Sequence, residues 1–386
     1  MQNDRPLSGL QVIEHATGVA ASQAGRLLAY MGAEVVMVEP PGGAPLRREP
    51  PMMGEDSALF AFLSAGKRSV ICDLDTAEGR EDLAALLEGA NIFIDDTPLS
   101  ARAALGLDEA AMARAHPHLI HLSVLPFGAH GPKGGWMGEE INLIHAGGEG
   151  FLLPNGLTAS MFPDRAPLKI AGHFAQMQGG VVAALSALSA LWLGGGHYVD
   201  ASVQDSNVAV GAFGIQRFGD GSVEHRSTRS FRYGGVIECA DGYVELLMLE
   251  ERQWQAFVTL MGTPDWTQSP DMADATGRSA RGDEINHHIR TWALGWKVED
   301  LVAQAQELGV PMARYMTPER VLHGPHEGAR GIFHPISTET GTPVQVQSLP
   351  FRFGAESLPP QSDVPRTGAD QDLLERHQSM PRRATV

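Results

Sequence analysis

Two stretches of this chain hold residues whose types and spacing could support chemistry. The turn Gly66-Lys67-Arg68 offers two cations and backbone N–H groups, which together could hold an anionic ligand. Glu140 is a carboxylate that could act as a nucleophile or a base, and His173 is a second candidate base. Each of these side chains could equally have a structural role, depending on the elements that carry it.

Those elements alternate between strands and helices. Buried strands are predicted over 10–13 and 35–38, with a helix over 20–31 between them that Gly32 ends. Further strands are predicted over 70–74, 92–94 and 119–125, and Thr76 caps the helix that follows the first of these. Strands that alternate with helices are typical of a parallel sheet, so we expect an α/β fold.

The turn after the first strand limits the nucleotide that this unit could bind. Residues 15–20 have the sequence HATGVA and lack the G-x-G-x-x-G pattern of dehydrogenases. Without those glycines, a dinucleotide pyrophosphate cannot approach the helix N-terminus closely. We therefore expect a nucleotide other than NAD.

The composition and charge restrict the possible partners. The formal net charge of −17 argues against general binding to nucleic acids or anionic membranes. The longest apolar run, over 181–193, is shorter than the ~20 residues of a membrane span, and the polar first residues lack a signal-peptide core. We expect a cytoplasmic protein with small-molecule ligands, without a nucleic-acid or membrane partner.

Neither the cysteines nor the histidines indicate a metal site. Cys72 and Cys239 lie far apart without C-x-x-C spacing, which predicts free thiols. His116, His118 and His121 lie close together in sequence, but an intervening proline and the apolar strand that follows favour a loop-and-strand origin. We expect no metal cofactor.

The sequence pattern changes near residue 221 and predicts a smaller α+β lobe. Strands over 235–239 and 243–249 are joined by Ala240-Asp241-Gly242, a hairpin signal. Helical patterns follow over 252–261, 284–294 and 298–308. A chain of 386 residues is also long enough for two lobes.

Several blocks, in order along the chain, resemble the CoA-transferases of family III, a superfamily that includes formyl-CoA:oxalate and carnitine CoA-transferases and alpha-methylacyl-CoA racemases. The blocks are the opening strand over 6–14, the second strand and its Pro-Gly-Gly over 32–43, GKRSV over 66–70, VDASVQD over 199–205, DGYV over 241–244 and GVP over 309–311. The resemblance covers nearly the whole chain.

The resemblance implies a fold and an assembly. It predicts a large Rossmann-like CoA-binding domain with a parallel sheet over residues 1–224, completed by 331–386, and a small α+β domain over 225–330. It also implies an interlocked dimer, either of two copies of this chain or of this chain with a homologous subunit.

The resemblance further implies that acyl-CoA is a substrate and that two segments contact it. The backbone of Val19, Ala20 and Ala21 would lie along CoA, and Lys67 and Arg68 would reach it.

One departure from the family concerns a cation for CoA. Relatives commonly carry a basic residue where this chain has Pro40. Arg47 or Arg48 could take its place, or either could be a surface charge.

The chain also lacks the aspartate that the resemblance predicts. In the family, an aspartate attacks the thioester and forms a mixed anhydride, then an enzyme-bound CoA thioester. It should lie shortly before Gly180, the expected opening of the long apolar helix, yet residues 169–178 contain no carboxylate. Ile170 or Gly172 stands in its place. The catalytic residue is thus unknown, with Glu140 and His173 as candidates.

Three functions follow. The first is CoA transfer between an acyl-CoA thioester and a carboxylic acid. The second is a catalytically silent CoA-binding subunit that pairs with a homologous chain carrying the aspartate. The third, less favoured, is a CoA-thioester isomerase or racemase, although Glu139 stands where a racemase would carry a histidine.

Overall fold

The chain forms two compact units, and the large one is built on a parallel sheet. The computed structural model describes residues 5–153, 168–211 and 232–378, together with residues 164 and 166. The large unit comprises Met1–Gly150, Lys169–Ala212 and Pro325–Val386. Its first strands are β1 (Gln11–His15), β2 (Glu34–Glu39), β3 (Met52–Met53), β4 (Asp56–Ser57), β5 (Arg68–Ile71), β6 (Ile92–Asp95), β7 (Ile120–Leu125) and β8 (His197–Ser202).

Six of these strands form one sheet in the order β5-β2-β1-β6-β7-β8, and all neighbours are parallel. The chain winds from β1 through β2 to β5 on one side, then returns to β6, β7 and β8 on the other. This is the order of a doubly wound sheet. The mostly apolar strands β6 (IFID) and β7 (IHLSVL) are buried along their whole length, as expected when helices cover both faces. The predicted α/β fold is confirmed.

Helices cover this sheet. They are α1 (Val19–Tyr30), α2 (Ala58–Ser64), α3 (Ala77–Gly89), α4 (Leu99–Leu105), α5 (Glu109–Ala115), α6 (Glu140–Ala146), α7 (Phe174–Leu193) and α8 (Val203–Val210). As predicted, Thr76 caps α3 by accepting a hydrogen bond from the Gly79 N–H. Gly32 follows α1 with φ of 108°, a left-handed conformation that ends the helix.

The long helix α7 begins at Phe174, so the prediction that it opens at Gly180 is wrong. Gly180 lies within the helix, where a Cβ would come 2.7 Å from the Ala20 carbonyl oxygen of α1. Gly179 is similarly close to Val203 at the start of α8. These glycines allow close helix packing and do not mark a terminus. Among the described helices, α7 alone has the length and apolar composition of a membrane span, yet its small residues are buried against the large unit.

The small unit, Phe151–Leu168 and Phe213–Gly324, contains an antiparallel sheet and helices around its own core. The strands β9 (Gly235–Cys239), β10 (Gly242–Leu246) and β11 (Met312–Arg314) lie in the order β11-β10-β9, which confirms the predicted hairpin. The helices are α9 (Glu251–Leu260), α10 (Ala275–Ala280), α11 (Gly282–Ala293), α12 (Val298–Glu307) and α13 (Pro318–Leu322). The predicted boundary at residue 224 lies outside the described residues.

The last part of the chain belongs to the large unit. It contains α14 (Pro325–Arg330), β12 (Phe333–Ser337), β13 (Pro343–Gln347), β14 (Arg352–Phe353), β15 (Glu356–Ser357) and α15 (Asp372–Gln378). Its return to the sheet is fixed at β5, where the Ser69 N–H donates to Asp370 and the Gly368 N–H donates to the Ser69 hydroxyl.

Candidate functional site

A cavity of about 390 Å³ lies at the carboxyl ends of β1, β6 and β7 in the large unit. Thr17 and Gly18 line it from the loop after β1, Asp96 from the loop after β6, and Leu125 and Pro126 from the end of β7. The winding of the sheet reverses between β1 and β6. Doubly wound sheets bind their ligands at this point, so the cavity is the candidate site.

The start of α1, which could attract an anion, is occupied by a carboxylate of the protein itself. The Thr17 N–H lies 2.9 Å from both oxygens of Asp96, and the Gly18 N–H lies 2.6 Å from Oδ2. Desolvation raises the pKa of Asp96, while these hydrogen bonds oppose the rise. A phosphate could bind these two N–H groups only by displacing Asp96.

Val19, Ala20 and Ala21 form the first turn of α1 and line the cavity, where they are buried. Their small side chains leave space for a ligand against the helix. The structure therefore brings this predicted segment to the candidate site, and its contact with CoA stays a prediction.

Lys67 does not line the cavity. Its ammonium is fully buried and lies 2.8 and 2.7 Å from the Glu14 carboxylate oxygens, 2.9 Å from the Ser22 carbonyl oxygen and 3.1 Å from the Ser22 hydroxyl. All of its N–H donors have partners inside the protein. This geometry does not support the predicted contact between Lys67 and CoA.

The neighbouring arginines differ in their availability. Arg68 is half exposed and forms ion pairs with Glu34 and Asp370, and its contact with CoA stays a prediction. Arg47 is buried and bound to Glu39 and Glu339. Burial alone would raise the pKa of Glu39, but hydrogen bonds from Arg47 and Ser69 lower it.

Arg48 is the second arginine that could replace the basic residue that relatives carry at the position of Pro40. It is exposed, and its one hydrogen bond to a described residue runs to the Gly42 carbonyl oxygen at 3.3 Å. Its neighbours Leu46 and Glu49 line the cavity.

Glu140 caps the long helix α7. Its two carboxylate oxygens accept hydrogen bonds from the Ala175 N–H at 2.7 Å and the Gln176 N–H at 3.1 Å, and the side chain is buried outside the cavity lining. A carboxylate at a helix N-terminus satisfies free N–H groups and stabilises the helix dipole. Both oxygens are already used, so the geometry favours a positioning role over a role as nucleophile or base.

His173 immediately precedes α7 and lines the cavity together with Gln176. Its Nδ1 is buried and has no hydrogen-bond partner among the described residues. Of the two candidates from the sequence, the structure thus places His173 at the cavity. Ile170 is half-buried and packs against the core of the large unit.

Carboxylates do line the cavity, although none comes from residues 169–178. They are Asp96, Glu139 and Glu49, contributed by three separate loops. Asp96 and Glu49 were not predicted from the sequence, because the family pattern points to a position before α7. The winding of the sheet could have indicated Asp96, since it follows β6 at the reversal point.

A buried ionic network surrounds Asp95, the residue before Asp96. Asp95, at the end of β6, is fully buried and lies 3.2 Å from Arg102 and 3.3 Å from His121, with His15 at 3.7 Å. Burial alone would raise its pKa, but hydrogen bonds from the histidines and the Arg102 charge hold the pKa well below its usual range. The network explains His121, and no group of metal ligands occurs among the described residues.

Lys133 lies beside Trp136, a residue of the cavity lining. Trp136 lines the cavity with 59% of its surface exposed. The Lys133 ammonium lies 5.8 Å from the centre of the Trp136 ring and 5.5 Å from that of Phe127, within the range of cation–π attraction. Lys133 forms no ion pair with a described residue. Neither residue was predicted from the sequence, because both lie in an irregular loop.

The chain matches a protein family over almost its whole length. Residues 7–371 match CoA-transferase family III. The chain belongs to this family. A crystal structure of a CAIB/BAIF family protein from Brucella suis has the same fold, with a TM-score of 0.84 and 27% identity over 97% of this chain and 99% of that one. The predicted family is thereby confirmed, and with it the predicted class of activity, CoA transfer.

Named relatives agree with this assignment. The chain is 28% identical over 403 residues to succinate–glutarate CoA-transferase of Agrobacterium fabrum, covering 98% of each chain. It is 31% identical to the probable CoA-transferase Rv1866 of Mycobacterium tuberculosis, covering 90% of this chain but 44% of that protein. It is also 30% identical over 263 residues to the BbsE subunit of succinyl-CoA:(R)-benzylsuccinate CoA-transferase of Thauera aromatica, covering 65% of this chain and 63% of the relative.

Proposed function

We propose that this chain transfers CoA between an acyl-CoA thioester and a carboxylic acid, and that the reaction takes place in the cavity at the ends of β1, β6 and β7. The observation that carries the proposal is the position of the cavity at the reversal point of the sheet, with Val19, Ala20 and Ala21 along one wall. A neutral pantetheine arm fits against these small residues, because it needs no cation there.

The nucleotide of CoA would then lie at the rim. Asp96 occupies the N–H groups at the start of α1, and no Lys or Arg lines the cavity among the described residues. Lys133 can pair with a phosphate, and Trp136 offers an exposed indole on which adenine can stack.

The test is an exchange assay on the purified chain. Succinyl-CoA is supplied with a panel of carboxylic acids, and new CoA thioesters are followed by liquid chromatography and mass spectrometry. We expect a new thioester with at least one acid, and its formation should need the acid. Hydrolysis of succinyl-CoA without any transfer, in every combination, would contradict the proposal.

A second function, a catalytically silent subunit, is favoured by one observation. Residues 169–178, where the family aspartate is expected, contain no Asp or Glu, and Glu140 is engaged by the helix that it caps. In this case the chain would bind CoA but show exchange only after a homologous chain with an aspartate is added. Exchange by the chain alone would rule this out.

We also propose a dimer, formed with a second copy or a homologous chain. Its support is an exposed apolar stripe on α7, formed by Val181, Leu185, Trp192 and Leu193, which are 47–92% exposed. Light scattering after size exclusion should give about twice the 41.3 kDa of the chain if the partner is a second copy. The variant Leu185→Glu should shift that mass toward the monomer.

A further inference from the structure

The proposed transfer needs a carboxylate that can carry CoA between its two partners. CoA can pass from a thioester to a carboxylate without loss of the thioester bond energy. For this, an enzyme carboxylate first forms an anhydride with the acyl group and then its own thioester with CoA. A histidine or an amide cannot do this. The identity of that carboxylate, which rests on the proposed function, follows from the residues that line the cavity.

Two of the three carboxylates that line the cavity are already engaged. Asp96 accepts hydrogen bonds from the Thr17 and Gly18 N–H groups and from the Thr17 hydroxyl. Glu139 is the N-cap of α6, where it forms a reciprocal capping box with Asn142. Using either one as a nucleophile would break contacts that hold a loop or a helix in place.

The third carboxylate is Glu49. It follows the short helical turn Pro45–Arg48, whose Leu46 is buried and also lines the cavity. The Glu49 side chain is exposed and forms no ion pair or hydrogen bond with any residue that the structure describes. A nucleophile needs such unshared oxygens. We propose that Glu49 is the nucleophilic carboxylate of this chain.

The reaction then proceeds in four balanced steps. A Glu49 oxygen attacks the acyl carbon, and the C–S bond breaks to release CoA thiolate and leave a mixed anhydride. The thiolate attacks the Glu49 carbonyl carbon, and the first acid leaves as its carboxylate. The acceptor carboxylate attacks the resulting glutamyl thioester and again releases the thiolate. The thiolate attacks the acceptor carbonyl, which frees Glu49 and forms the new acyl-CoA.

A glycine-rich segment of the cavity lining suits these steps. Gly134, Gly135 and Gly138 line the cavity, and their backbone can approach a reacting carbonyl because no side chain intervenes. Backbone N–H groups in such a segment can stabilise the oxyanion that each attack creates.

The first test is chemical trapping of the intermediate. The purified protein is incubated with succinyl-CoA, treated with borohydride, digested with trypsin and analysed by mass spectrometry. Cleavage after Arg48 and Lys67 yields a peptide over 49–67, and fragmentation distinguishes Glu49 from Glu55 and Asp56 within it. We expect borohydride to reduce the glutamyl thioester to an alcohol at Glu49.

The second test uses matched variants. Glu49→Gln should lower kcat for exchange at least ~10³-fold while KM for succinyl-CoA changes less than ~3-fold, because the amide keeps the shape but cannot form the anhydride. Glu49→Asp should recover part of the rate. Glu55→Gln, an exposed acid in the same segment, should behave like the unchanged protein. Thermal unfolding checks that each variant is folded.

The outcomes separate this inference from the proposed function. Exchange that survives in Glu49→Gln, or trapping at another carboxylate, overturns the role of Glu49 and leaves CoA transfer intact. Exchange that appears only with a homologous partner, with no adduct on this chain, also overturns it. If no acid is converted under any of these conditions, both proposals fail.

Discussion

The Glu14 carboxylate and the Lys67 ammonium form an ion pair enclosed in the large unit, with 2.7 Å between Oε2 and Nζ. Burial raises the pKa of Glu14 and lowers the pKa of Lys67, and the charge of each partner opposes the shift of the other. The pair joins β1 to the turn before β5, two elements that are 53 residues apart in sequence. The cation that the sequence suggested for the ligand thus has its observed contacts in β1 and α1 of the large unit.

Breaking this pair should destabilise the protein strongly. Lys67→Met leaves the Glu14 carboxylate buried without a partner, and we expect a loss of about 3–5 kcal/mol in the free energy of unfolding. Chemical denaturation measures the loss. The double variant Glu14→Gln with Lys67→Met removes both charges and should lose less than Lys67→Met alone. A double variant as unstable as the sum of the single variants would mean that the two groups do not interact.

Gly25 in α1 provides the space that this pair occupies. A Cβ at this position would lie 1.7 Å from Glu14 Oε2 and 3.3 Å from Lys67 Nζ. Gly25→Ala should therefore lower the free energy of unfolding by about 1–3 kcal/mol, although alanine favours a helix. Gly328→Ala in α14 is the matched control, because a Cβ there meets no atom within 4 Å. We expect it to be neutral or stabilising.

Glu140 should prove important for stability and dispensable for the chemistry. Glu140→Ala removes the cap of α7 and should cost about 1–2 kcal/mol in denaturation. Glu140→Gln keeps one oxygen acceptor for the Ala175 or Gln176 N–H and should retain measurable exchange of CoA. Complete loss of exchange in a stably folded Glu140→Gln variant would instead indicate a direct catalytic role.

Lys133 should contribute to binding through the nucleotide of CoA. Lys133→Gln should weaken binding of CoA about tenfold, as expected for the loss of one charge-assisted contact with a phosphate. Binding of a pantetheine thioester, which lacks the nucleotide, should not change. Calorimetry measures both, and Lys297→Gln on the small unit controls for net charge. Equal weakening for both ligands would contradict a phosphate contact.

The sequence predicted the sheet better than the site, and particular residues show why. The strands and the first helix follow from apolar periodicity and from Gly32, which are local signals. The predicted start of α7 was wrong because Gly180 breaks the apolar pattern. In the structure, Gly180 lies within α7 and allows close contact with α1. A glycine that serves packing and a glycine that ends a helix look alike until the partner helix is known.

Charged residues were harder still, because their roles depend on partners distant in sequence. Nothing around Lys67 indicates that Glu14 lies beside it, and nothing around Glu140 indicates that it accepts from the start of α7. Arg47 and Arg48 are adjacent, yet one is buried between two glutamates and the other is exposed. The contacts of the folded chain are needed to separate such pairs.

The loop that carries Lys133 and Trp136 should respond to pH through His130. The His130 imidazole lies 2.9 Å from Asp200, which also accepts from the Ala129 N–H at 2.7 Å. The hydrogen bond and charge of Asp200 raise the pKa of His130, with Glu109 adding to the effect. The pKa of His130 is higher in the folded protein than in the unfolded chain. The stabilisation from its pairing with Asp200 is therefore fully present below the unfolded pKa of about 6.5. It is lost as the pH rises through the folded value.

NMR titration should therefore give His130 a pKa above the ordinary one, and Asp200→Asn should lower it. A pKa that Asp200→Asn leaves unchanged would show that Asp200 does not hold this loop by charge.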